Sequence, residues 1–350
     1  MKRGQPASKS LTIHDVAAAA GVSAKTVSRV INRQPNVRDE LRERVESAIR
    51  ALRFHPSQSA RSLATRRSLL IGLFHDNPSA NYVLSLQTGT LWRCQQERYK
   101  ALFHACDARN RKLGAEILSL ARKLHLEGLI LTPPLSGMAT LVRQLLASGL
   151  PVAQVAPPAH DASTLNVSID DTSASRALTE HVLGLAHRRI AFVLGHPDYD
   201  ATAKRYSGYK QALQARGIKL DRSLVAPGQF SFESGRTAAL KLLTGGRRPT
   251  AIIASNDEMA AGVLAAAHEL GLQLPRDLSV CGFDDAPIAR ATWPQLTTMR
   301  QPIEEMAFSA TDLLLTRIRN GARPAPVRHS FTLIVRQSTA PPLSPGGSGQ

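Results

Sequence analysis

LTIHDVAAAAGVSAKTVSRVIN, residues Leu11 to Asn32, decides how the rest of the chain is read. Thr12 suits the position just outside a helix, and Asp15 three residues later completes a capping box. Val16, Ala17 and Ala20 then fall on one stripe of a short helix, Gly21 supplies a turn, and Ser23 is placed to cap a second helix over 24–31. Val27, Val30 and Ile31 form its inner face, which turns Ala24, Lys25, Ser28 and Arg29 outward. A third helix is expected from Asp39, where Leu41, Val45, Ala48, Ile49 and Leu52 repeat at helical spacing until Pro56 ends it.

Two short helices around a tight turn can simply pack, or they can read DNA. A helix–turn–helix sets its second helix into the major groove with the first residues against base edges. Lys and Arg suit guanine O6 and N7, and alanine suits a thymine methyl. Ala24, Lys25 and Arg29 occupy those positions, with Ser23, Thr26 and Ser28 available to phosphates. Charge favours DNA over packing alone. The chain has 350 residues and a net charge of +17, and residues 1–67 carry 14 Lys/Arg against 5 Asp/Glu, a net of +9. About half the excess sits in the first fifth of the chain, as expected of a small basic domain beside a milder body, with nucleic acid as the partner.

The segment SQSARSLATRRS (57–68) is polar and basic and holds too little apolar surface to stand alone as a helix. It reads as a linker that orders only when something binds it. From Leu69 the texture changes. Short β-type runs at 69–74, 100–105, 127–132, 151–156, 188–195, 250–255 and 278–284 alternate with helical patterns at 83–97, 112–124, 138–148, 172–186, 204–216, 233–243, 257–270 and 303–320. Such alternation means parallel sheets covered by helices, and seven or more strands suit two lobes better than one. Segment 158–170 is expected to cross between lobes, and PQLTTMRQP (294–302), bracketed by prolines, to return.

The motifs DVAAAAGVSAKTVSRVIN, VRDELRERVESAIRALRFHPSQSARSLA and LLIGL resemble the DNA-binding headpiece of the LacI/GalR family of bacterial transcriptional regulators. SIDD (168–171), KRYSGY (204–209), SNDEMAAGVL (255–264), LSVCGFDD (278–285) and LTTMRQP (296–302) resemble the same family's effector domain, so the likeness spans about residues 12–340. It implies an all-α helix–turn–helix headpiece with a hinge helix, followed by a bilobed α/β, periplasmic-binding-protein-like effector domain. The expected organisation is a disordered N-terminus (1–10), headpiece (11–56), hinge (57–67), bilobed body (68–340) and disordered tail (341–350). Within the body, the first lobe would take 68–165 plus 296–325, and the second 166–295 plus 326–340. By resemblance, the hinge folds on DNA and Leu63 wedges into the minor groove, where unstacking is offset by the larger contact of bent DNA. Arg61, Arg66 and Arg67 would then hold phosphates, which position without specifying. Thr12, Asn32 and Asn36 complete the expected DNA-binding set.

Ligands of open α/β sheets sit beyond the carboxyl ends of the strands. The stretches His75–Tyr82, Thr132–Pro134, Gly195–Asp200, Asn256–Asp257 and Asp284–Asp285 follow the expected strands directly. By resemblance, Arg205, Asn256 and Asp284 match the family's ligand hydrogen-bonders and Phe230 its stacking aromatic, with Tyr82 and Tyr199 beside them. Arg205 has a structural alternative in an ion pair with a nearby carboxylate, and Phe230 one in the core. Asp170 and Asp171 serve either the ligand or the lobe connection. Tyr199 and Ala201 stand where some relatives place Arg and Thr around a purine, which moves the expected effector from a nucleobase to a sugar.

Other chemistries find little support. Cys94, Cys106 and Cys281 form no CxxC pair, which fits a reducing compartment better than a disulfide framework. No apolar run reaches the roughly 18 residues of a membrane helix, and a cytoplasmic location follows as an expectation. His181 and His187 are six apart and do not share a helix face as metal ligands would. There is no GxSxG, GxxxxGK[ST] or GxGxxG. The chain is therefore expected not to be an enzyme and to need no cofactor or metal. Its partners would be pseudo-palindromic operator DNA, a sugar effector and a second copy of itself. The Pro- and Gly-rich tail replaces the leucine-heptad helix of tetrameric relatives, so a homodimer is expected.

Overall fold

The computed structural model describes residues 11–31, 37–54, 67–159 and 162–343. The chain divides into two compact units between Ser68 and Leu69.

In the first unit, α1 (Ile13–Ala20), α2 (Ala24–Ile31) and α3 (Asp39–Ala51) surround one small core. Val16, Val27 and Val45 lie at its centre, sealed by Val30, Val37 and Phe54. The Thr12 backbone amide and hydroxyl both donate to Asp15, at 2.7 Å each, which fixes the start of α1. Gly21 takes the left-handed conformation with φ 62° that ends it, a turn that only glycine adopts without penalty. Arg44 of α3 donates to the Ala20 carbonyl at 2.8 Å, so the turn is tied to the third helix.

The second unit holds two six-stranded sheets in the orders β11-β5-β4-β3-β1-β2 and β12-β10-β9-β8-β6-β7. The first comprises β1 (Leu70–His75), β2 (Lys100–Ala105), β3 (Leu129–Leu131), β4 (Val152–Val155), β5 (Leu165–Ser168) and β11 (Val327–Arg328). The second comprises β6 (Ile190–Val193), β7 (Val225–Ala226), β8 (Ala251–Ala254), β9 (Ser279–Asp284), β10 (Thr297–Arg300) and β12 (Thr332–Ile334). Among the described residues the strand pairings are parallel except that of β10 with β12. The helices are α4 (Ala80–Gln96), α5 (Leu113–Leu124), α6 (Ala139–Leu146), α7 (Asp171–Gly184), α8 (Asp200–Ala215), α9 (Phe232–Thr244), α10 (Asp257–Glu269), α11 (Pro287–Ala291) and α12 (Ile303–Asn320).

Strand alternation explains the continuous apolar runs. Ile71, Leu73 and Ile130 enter one cluster while Phe74, Leu129 and Leu131 enter another on the opposite face. Likewise Ile190, Phe192 and Ile253 part from Ala191, Val193 and Ile252. A strand covered on both faces carries apolar residues at every position.

The lobe boundaries differ from those expected. Leu165–Ser168 is a strand of the first sheet, so the first crossing falls after Ser168 rather than before 166. Thr297–Arg300 belongs to the second sheet, not the first lobe. Val327–Arg328 pairs with β5 and returns to the first, although 326–340 was expected in the second. The misplaced strands are two to four residues long, too short for composition to reveal them. The chain consequently crosses between the lobes three times. The expected N-terminal segment 1–10, most of the hinge and most of the tail lie outside the described residues.

α7 and α8 approach closely enough that a Cβ on Gly208 would sit 2.2 Å from the Thr172 carbonyl oxygen. Backbone cannot yield as a side-chain tip can, so Gly208→Ala must push the helices apart. A loss of about 1–3 kcal/mol is expected, read as a lowered urea midpoint; an unchanged midpoint would show that the contact is loose.

Candidate functional site

The first unit offers one face built by capping. Ser23 Oγ accepts from the Thr26 amide at 3.1 Å and lies 3.0 Å from the Thr26 hydroxyl, which starts α2. Lys25 and Arg29 are exposed on that helix, and Ala24, Thr26 and Ser28 are half-buried around them. Thr12 is exposed, its hydroxyl turned to Asp15. Of the other residues expected to touch DNA, Asn32, Asn36, Arg61, Leu63 and Arg66 lie outside the described residues.

In the second unit, loops after β1, β3, β6, β8 and β9 converge on one cavity between the lobes. Asn77, Ser79 and Tyr82 of the first lobe face Tyr199, Phe230 and Asn256 of the second, while Asp171, Arg205, Asp284 and Gln301 form the polar floor. The free space, open mouth included, is ≈ 440 Å³.

Arg205 is the hub. Its side chain is buried; Nε donates to Asp171 Oδ1 at 2.8 Å and Nη1 to the Ser255 carbonyl at 2.5 Å. Asp284 Oδ1 stands 3.7 Å from Nη1, and the guanidinium carbon lies 3.7 Å from the centre of the Phe283 ring. Gln301 Nε2 donates to Asp284 at 2.6 Å. The ion pair that sequence offered as a structural alternative is thus present, and Nη2 makes no hydrogen bond among the described residues. Asp171 and Asp170 divide their duties. Asp171 holds Arg205, whereas Asp170 caps α7 through the Ser173 amide at 3.1 Å and pairs with Arg328 of β11.

Asn256 lines the cavity but its amide is committed within the protein. It accepts from the Met259 amide at 3.0 Å as the cap of α10, and donates to the Phe230 carbonyl and to Glu258 at 3.0 and 2.8 Å. Phe230, with φ 57°, and Asp284, with φ 113°, both hold backbone conformations that side chains rarely adopt. Such strain persists only where surroundings enforce it. Phe230 packs edge-on to Tyr199 with ring centres 5.3 Å apart.

Several bonds join the lobes across the mouth. Ser79 Oγ and Asn81 Nδ2 of the first lobe donate to Glu258 of the second at 2.6 and 3.1 Å. The Tyr199 hydroxyl donates to the Asp76 carbonyl, and Lys204 Nζ to the Pro158 carbonyl at 3.1 Å. Sequence reasoning missed Ala156, Gln301 and Glu258. Gln301 falls in the expected return segment 294–302, and Glu258 in the expected helix 257–270, with no cleft role assigned to either. Among the described residues no group of three His, Cys, Asp or Glu is arranged to hold a metal, and no helix is long and apolar enough to cross a membrane.

Burial pushes the Asp284 carboxyl up to about 7, against the opposing pull of Arg205 and aided by Glu258. Burial raises Asp257 well above its ordinary value too, although Thr298 and the Ala286 amide donate to it. A carboxyl raised in the fold stabilises it fully below its unfolded pKa of about 3.9, and loses that contribution as pH rises through the folded value. The melting temperature should therefore fall as pH rises from about 4 to about 7 and level off above that, and Asp284→Asn should flatten the slope. Equal slopes for both proteins in calorimetry would remove Asp284 from this role.

Both units match known families. Residues 12–57 match the model of bacterial regulatory proteins of the lacI family, and 179–339 that of a periplasmic binding protein-like domain. The HTH-type transcriptional regulator DegA of Bacillus subtilis (strain 168) is 31% identical over 334 residues, covering 94% of this chain and 98% of that one. The lac repressor dimer bound to operator and the anti-inducer ONPF superposes with a TM-score of 0.81 at 26% identity, over 95% of this chain and 100% of that one. The transcriptional regulator CelR in its cellobiose complex gives a TM-score of 0.71 at 28% identity, over 94% of this chain and 99% of that one. This chain belongs to the lacI family of bacterial regulatory proteins and is a DNA-binding transcriptional regulator, not an enzyme.

Proposed function

We propose that the protein is a repressor of a carbohydrate-utilisation operon, acting in the cytoplasm as a homodimer on a pseudo-palindromic operator and released or tightened by a sugar. The observation that carries this reading is the composition of the cleft. Asp171, Arg205, Asp284 and Gln301 converge below the rings of Tyr199 and Phe230. A polyhydroxylated ligand needs a partner for every hydroxyl and an apolar face to lie against. The CelR relative, whose structure holds cellobiose, supports the same ligand class.

In this reading Arg205 and Asp284 bind hydroxyls directly, Phe230 and Tyr199 pack on the sugar face, Tyr82 closes over it, and Asn256 acts chiefly by holding the Phe230 backbone. On DNA, Ala24, Lys25 and Arg29 face bases. Thr12, Ser23, Thr26 and Ser28 face phosphates with Asn32, Asn36, Arg61 and Arg66, and Leu63 wedges the centre. A second reading, a nucleoside effector, is favoured by the Tyr199–Phe230 ring pair, which offers a base an aromatic surface. Whether the protein represses or activates depends on where its operator lies.

Titration calorimetry with a panel of sugars and nucleosides should give binding by a sugar alone. Arg205→Ala should keep operator affinity and lose the ligand response; a normal response would move the ligand elsewhere. Lys25→Ala should relax preference at one base position, about 1–3 kcal/mol of discrimination. Operator affinity should drop by orders of magnitude between roughly 50 and 200 mM salt. Sedimentation should show two chains; four would contradict the dimer.

A further inference from the structure

The charge of the body is not spread over its surface. Residues 69–184 carry 10 Lys/Arg and 9 Asp/Glu, residues 185–250 carry 12 and 4, and residues 251–350 carry 8 and 9. The whole excess of the body, +8, therefore falls on 185–250, the segment running from the start of β6 to the start of β8. Part of it surrounds a cavity at the amino-terminal end of β6, the opposite end of the sheet from the effector cleft. Arg188, Arg189, Lys219 and Arg247 line it, Asp221 is its one acid, and Ile218 contributes apolar floor. Its free space, mouth included, is ≈ 660 Å³.

The one acid does not neutralise these cations. Asp221 is occupied by Arg189 Nη1 at 2.9 Å and by the Ser223 amide and hydroxyl at 2.9 and 2.6 Å. Arg189 is anchored further by donating from Nε to the Arg247 carbonyl at 2.8 Å, which fixes its guanidinium at the cavity wall. The side chains of Lys219 and Arg247 make no hydrogen bond or ion pair among the described residues, and Arg188 only a long one, 3.4 Å, to the His187 carbonyl. Three cations without a counter-ion among the described residues, gathered beside the Arg189–Asp221 pair on one concavity, repel one another unless a further anion joins them. Arginines present forked donors that match phosphate oxygens, and lysine adds a point charge.

We propose that this cavity binds a small phosphorylated metabolite, with the phosphate held by Arg188, Arg189, Lys219 and Arg247. Its volume accepts a compact molecule, and β6 separates it from the effector cleft. It is a second input to the protein that does not compete with the first.

The test is calorimetry on the full-length protein at fixed ionic strength, with inorganic phosphate, ribose 5-phosphate, fructose 1,6-bisphosphate and AMP as probes and sulfate as the control anion. Saturable binding of one phosphate ester per chain is expected, weakened at least tenfold in Arg188→Ala/Lys219→Ala/Arg247→Ala and unaffected by Arg205→Ala. A single Lys219→Glu variant guards against misfolding of the triple one, and should weaken binding likewise with an unchanged melting curve. Binding of no ester, equal binding of sulfate, or equal binding by the variants overturns the site. A patch that responds only to non-operator duplex DNA, with affinity falling in the variants, would also overturn it in favour of a nucleic-acid surface.

Discussion

A buried guanidinium needs partners for its charge, and Arg205 ties several elements of the second lobe together through that requirement. Its partners come from the start of α7, the ends of β8 and β9, and the ring of Phe283. Removing one member of a buried pair commonly costs about 3–5 kcal/mol, whereas the intact pair adds little net stability. The value of the cluster is positional: it holds two carboxylates and a cation at fixed places on the cleft floor. The close seating of α8 on α7 at Gly208 is part of the same arrangement, since it brings Arg205 within reach of Asp171.

The floor is thus tied together around Arg205, and the first lobe supplies the roof. Asn77, Ser79 and Tyr82 stand on one loop and helix start, and close on the floor through bonds to Glu258 and between Tyr199 and Asp76. A ligand that bridges floor and roof favours the closed arrangement by the difference in its affinity for the two states, and by no more than that. Glu258 joins the two lobes beside the polar floor, because it accepts from the first lobe and from Asn256 at once.

Much of this was legible in the sequence, and the failures have physical causes. The headpiece could be read almost residue by residue, because capping boxes and turn glycines act locally: Thr12, Asp15, Gly21 and Ser23 do their work within three residues. All eight long helices of the body could be placed, since amphipathic periodicity accumulates over many turns. Short strands such as Leu165–Ser168 and Val327–Arg328 could not, because a two- to four-residue strand is created by its neighbour rather than by its own composition. In the cleft, residues just after strands were accessible to reasoning. Gln301 and Glu258 were not, as their roles arise from contacts with residues 17 and 179 positions away. Asn256 marks the opposite limit: its position in the cleft was legible, but not that its amide would be used up in capping α10.

The threefold crossing between lobes has a consequence for how the molecule is made. Val327 pairs with Val167, and β12 closes the second sheet on β10, so neither lobe is a contiguous stretch of chain. Contacts of such sequence separation raise the entropic cost of closing the fold and slow it. During synthesis, the first lobe lacks its edge strand until nearly all of the chain has emerged. Its half-built sheet must wait with β5 uncovered, an open edge on which another unfinished chain can pair.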